Sequence, residues 1–64
     1  MTKQNEKLFN ELEETLKELD NAINDTTDYN KRMTIYTKRY VIMQVQRLLL
    51  GADYKTISDE IVNY

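Results

Sequence analysis

A chain with no proline and a single glycine, Gly51, offers few places to break. The stretch from Tyr29 to Leu50, read as one helix, limits what the whole can become. At 100° per residue, Val41, Val45, Leu48, Ala52, Ile42, Leu49 and Ile35 cover one broad arc of a helix. Met33, Tyr36, Tyr40 and Met43 form a second, narrower stripe. Thr37 and Gln44 separate the two on one side, Arg39 and Gln46 on the other. A helix in a simple hairpin needs one apolar face; this one has two and must be covered from two directions. Its β-branched residues, Thr34, Ile35, Thr37, Val41, Ile42 and Val45, lower its intrinsic propensity, so packing has to support it.

The flanking segments supply part of that cover. From Asn5 to Asn24, Leu8, Phe9, Leu12, Leu16, Leu19, Ala22 and Ile23 share one face, which predicts an amphipathic helix over about 5–24. Residues 25–28 then favour a turn, with Thr27 or Asp28 capping the next helix, about 29–50. Gly51 can take the left-handed conformation that ends it. Beyond it, Tyr54, Ile57, Ile61 and Val62 predict a short helix over about 54–62, capped by Asp53 and folding back on the hairpin. The expectation is one all-α domain over 1–64: an antiparallel helical hairpin with a short third C-terminal helix, as a dimer.

The stretch RLLLGADYKTISDEI, Arg47 to Ile61, resembles the front of a helix-turn-helix. In that motif a further helix reads the DNA. The resemblance covers no such reading helix, and the same helix-end signals serve to fold a short helix back, so we expect the segment to be structural.

Size argues for self-association or a partner. Folding 64 residues removes on the order of 7,000 Å² from water, about half of it apolar. At about 25 cal/mol per Å² this contributes roughly 90 kcal/mol. Ordering the chain at about 1.5 kcal/mol per residue costs about as much. No cysteine is present to add a disulfide or a thiolate metal site, and histidine is absent. Helix packing and a second subunit or partner remain.

Charge is segregated. Residues 1–28 hold eight acids and three lysines; residues 29–52 hold Lys31, Arg32, Lys38, Arg39 and Arg47 with no acid. Either the acidic helix lies antiparallel along the basic one, with Asp20 and Glu18 near its start and Glu11 and Glu13 near its middle, or the five cations form a phosphate-binding stripe with Tyr36 and Tyr40 for stacking. The sequence pI of ≈ 5.0 weighs against the stripe.

Catalytic groups are scarce. Acid pairs such as Glu14 with Glu18 sit on a solvated helix face, where nothing shifts them toward acid–base work. Ser58 is the one serine and has no histidine to activate it. The turn DTTDYN lacks the glycine and terminal glutamate of a calcium loop. We therefore expect no enzyme, no cofactor, no metal and no small-molecule substrate. With no export signal or membrane-length apolar run, we expect a cytoplasmic protein.

The functional expectation is a small regulator or inhibitor, of the kind a phage or plasmid carries, that binds another protein stoichiometrically. Its partner or dimer interface would be Met33, Tyr36, Tyr40 and Met43, rimmed by Arg32 and Arg39. The alternatives are a nucleic-acid-binding accessory protein using Lys31, Arg32, Lys38, Arg39 and Arg47, and a purely structural oligomer.

Overall fold

The computed structural model describes all residues from Met1 to Tyr64. It contains three helices and no strand: α1 (Lys3–Asp25), α2 (Tyr29–Leu49) and α3 (Tyr54–Val62). All three begin with the same device. The side chains of Thr2, Asp28 and Asp53 each accept a hydrogen bond from the backbone N–H three residues on, at 3.1, 3.0 and 3.0 Å. Each thereby satisfies a donor that has no partner within the first turn. Helix α2 ends on a glycine cap. Gly51 has φ +99°, the Ala52 N–H donates to the Arg47 carbonyl at 3.0 Å, and the Gly51 N–H donates to Leu48 at 3.0 Å. That pair of reversed hydrogen bonds is the Schellman motif, and only glycine takes its left-handed turn at no steric cost.

Successive helices are antiparallel. Glu13 and Asp20 of α1 meet Gln46 and Arg39 of α2, and Tyr40 and Arg47 of α2 meet Tyr64 and Glu60. In each seam the numbering runs in opposite directions. Both outer helices pack on α2, and they do not pack on each other.

The Cα extents are 38 × 28 × 9 Å. Two stacked helix layers would need about 13 Å, since axes lie about 8–10 Å apart and each Cα cylinder adds about 2.3 Å. The molecule is therefore one helix thick, with α2 in the middle. Helix α3 folds back on α2, as the sequence led us to expect, and does so along a seam opposite the one α1 fills, which extends the layer sideways.

A single layer buries little. Leu16, Ile23, Ile57, Gln44 and Gln46 are the buried residues. The accessible surface is 5018 Å², against about 4,300 Å² for a folded protein of this mass by surface–mass scaling. No helix is long and apolar enough to cross a membrane.

Candidate interaction surface

The two seams of α2 define its two free faces. Gln46 points into the α1 seam, where its Nε2 donates to the Phe9 carbonyl at 3.3 Å and to Glu13 Oε1 at 2.7 Å. Gln44 points the other way and accepts from Arg47 Nη1 at 2.7 Å; the same nitrogen donates to Glu60 of α3. Two residues apart, the glutamines are turned about 200° from each other, as a helix requires. No buried side-chain nitrogen or oxygen lacks a partner. These polar strips, which in the sequence merely divide two apolar flanks, lie at the seams beside apolar residues that the neighbouring helices half-bury.

One free face is mixed in character. Met33, Tyr36 and Met43 project from it, each more than two-fifths exposed. The ion pairs Asp20–Arg39 (2.8 Å) and Arg47–Glu60 flank them. Arg39 also reaches the Met43 sulfur at 3.7 Å. Tyr40, expected in the same stripe, is half-buried at the α3 seam, its ring stacked on Tyr64 with centroids 3.9 Å apart and planes 10° apart. Met33, Tyr36 and Met43 are thus brought together, rimmed by Arg32 and Arg39, while Tyr40 is largely engaged within its own chain.

The opposite face is apolar in its central part, around Val41 and Val45, and polar toward the start of α2, where Asn30, Lys31, Thr34 and Lys38 lie. Val41 and Val45 are 41% and 40% exposed, Leu8 of α1 is 43% exposed and Ile61 of α3 is 41% exposed. Helical spacing sets all four on this side, away from the ion pairs. Between α1 and α2 runs an open groove of ≈ 390 Å³, lined by Thr15, Leu19, Thr37, Lys38, Val41 and Ile42, whose surface is almost entirely carbon. In the sequence Val41 and Val45 share one broad arc with Ile35, Ile42 and Leu49. Of these, Ile35, Ile42 and Leu49 are half-buried on the α1 side, while the valines stay open.

The basic residues straddle α1. By helical spacing Lys31 and Lys38 lie on the apolar side of its seam, and Arg32 and Arg39 on the mixed side. Arg39 and Arg47 are paired with acids of the same chain, and Lys31, Arg32 and Lys38 are not. The register differs from that read in the sequence. Asp20 meets the middle of α2 rather than its start, and Glu13 meets its last turns.

No family model matches this chain, and comparison with curated proteins and with solved structures gives no match either. The class is therefore defined by geometry alone: a flat, antiparallel three-helix layer with one mixed and one apolar face.

Proposed function

We propose that the chain is a small, non-enzymatic protein-binding regulator or inhibitor that acts stoichiometrically through its mixed face. The observation that carries this reading is the exposure of Met33, Tyr36 and Met43 along α2, each more than two-fifths open to solvent. Tyrosine, methionine and arginine are the residue types over-represented at protein interfaces. An adaptable thioether beside a rigid aromatic ring supplies contact area at low ordering cost. A matching partner would offer an apolar recess with carboxylates at its rim for Arg32, which has no acid of its own chain.

The test is affinity capture from the native host with the wild-type chain and with Tyr36→Ala/Met43→Ala. The double variant is expected to lose partner binding by about tenfold or more, because exposed aromatic anchors dominate interface energetics. Its helix content should stay unchanged, since neither residue is buried. Undiminished capture would remove the face from consideration.

A second reading rests on Lys31, Arg32 and Lys38, which stay free of acids near the start of α2. They could hold nucleic-acid phosphates, and binding would then weaken steeply with salt. The absence of any DNA or RNA shift at low ionic strength would dispose of it.

A further inference from the structure

We infer that the apolar face, centred on Val41 and Val45, is where a second copy of this chain docks, giving a two-layered homodimer whose mixed faces point outward. The inference goes beyond partner capture and concerns the other side of the molecule.

The area sets the scale. The folded chain exposes 5018 Å², about 700 Å² more than a protein of its mass ordinarily does. One side of a standard stable interface covers about 800 Å². The surplus is thus close to what one docking event removes.

Chemistry then chooses the face. Homodimer interfaces are more apolar than other protein surfaces and carry few charges at their centre. The ion pairs Asp20–Arg39 and Arg47–Glu60 both sit on the mixed face, which leaves the valine face without one. Leu8, Val41, Val45 and Ile61 each remain about two-fifths exposed there, one or two from every helix. Lys38 is the one charged residue lining the groove, and its long stem can lie along carbon while the ammonium reaches water.

Self-recognition suits this geometry better than a foreign partner does. A layer one helix thick presents a broad, nearly flat surface, and such a surface is complementary to itself under a two-fold rotation. The missing burial is also a deficit of the fold, since Leu16, Ile23 and Ile57 are its only buried apolar residues. A second copy is present whenever the chain is.

The test uses the full chain and two readouts. Sedimentation should give twice the 7.7 kDa chain mass, falling toward one chain on dilution, with a melting temperature that rises with concentration. The chain has no cysteine, so single spin labels can be placed at Met43→Cys and Val45→Cys, neighbours in height on opposite faces. Label-to-label distances should be shorter for Val45→Cys than for Met43→Cys. Val41→Glu/Val45→Glu should halve the mass, and if that variant fails to fold, the labelled chains still decide the matter. A folded chain that stays a monomer at millimolar concentration would overturn the inference. So would a shorter distance from Met43→Cys, which would place the contact on the mixed face. Failure of the proposed partner binding is separable, because it would leave the mass at two chains.

Discussion

Gln44 and Gln46 are buried in opposite seams of one helix, the first beside α3 and the second against α1. Polar contacts thus join apolar ones in each seam: Ile42 and Leu49 are half-buried on the side of Gln46, and Tyr40 on the side of Gln44. The energetic weight of that arrangement can be measured at Gln46, whose amide bridges the Phe9 carbonyl and the Glu13 carboxylate. Gln46→Ala should destabilise the fold by about 1.5–3 kcal/mol, the range for a hydrogen bond to a charged group. Gln46→Leu, which restores the volume, should cost less. Urea midpoints at fixed protein concentration compare the two.

Ile57 is 1% exposed, the most enclosed side chain in the molecule, and the main apolar anchor of α3. Ile57→Ala should cost about 2–5 kcal/mol and Ile57→Val about 0.5–1.5 kcal/mol. Hydrogen exchange should show the loss first in α3, with the α1–α2 seam protected for longer. Uniform loss across all three helices would mean that α3 is not a separable edge.

Gly51 stands alone at φ +99°, with open space where a β-carbon would be. Gly51→Ala therefore meets no neighbour, and its cost is purely that of the backbone conformation, about 1–2 kcal/mol. Gly51→Asn should cost less, since asparagine visits the left-handed region more readily. Thermal melts of the two variants test the ranking.

The Asp20–Arg39 pair is short, at 2.8 Å, but its side chains are 51% and 37% exposed. Water and salt screen such a pair, so Asp20→Asn should cost under about 1 kcal/mol. The difference from wild type should shrink further in 1 M salt, where the screening length is about 3 Å. A large, salt-insensitive loss would give this contact a structural weight that its exposure does not.

Helix content was legible in the sequence, and the reasons are local. Asp28 and Asp53 could be read as caps and Gly51 as a stop because each acts on its own backbone within a few residues. The acidic α1 lies along the basic α2, with Asp20 on Arg39, in line with the charge segregation. The layer architecture was not legible. Periodicity shows that α2 has two apolar flanks, but not whether helices cover those flanks or the polar strips between them. Gln44 and Gln46 decide it through long-range partners, Glu13 and Glu60 (by way of Arg47), which lie 33 and 13 residues from their donors. The stacking of Tyr64 on Tyr40 was not legible for the same reason: only the path of α3 brings the two rings together.

The 9 Å thickness has a consequence for stoichiometry. When two such slabs lie back to back, their tyrosine–methionine patches look in opposite directions, and no single target can touch both. The pair would then act as a bridge that tethers two target molecules. If each target were itself multivalent, the assembly would gain avidity without any further contact.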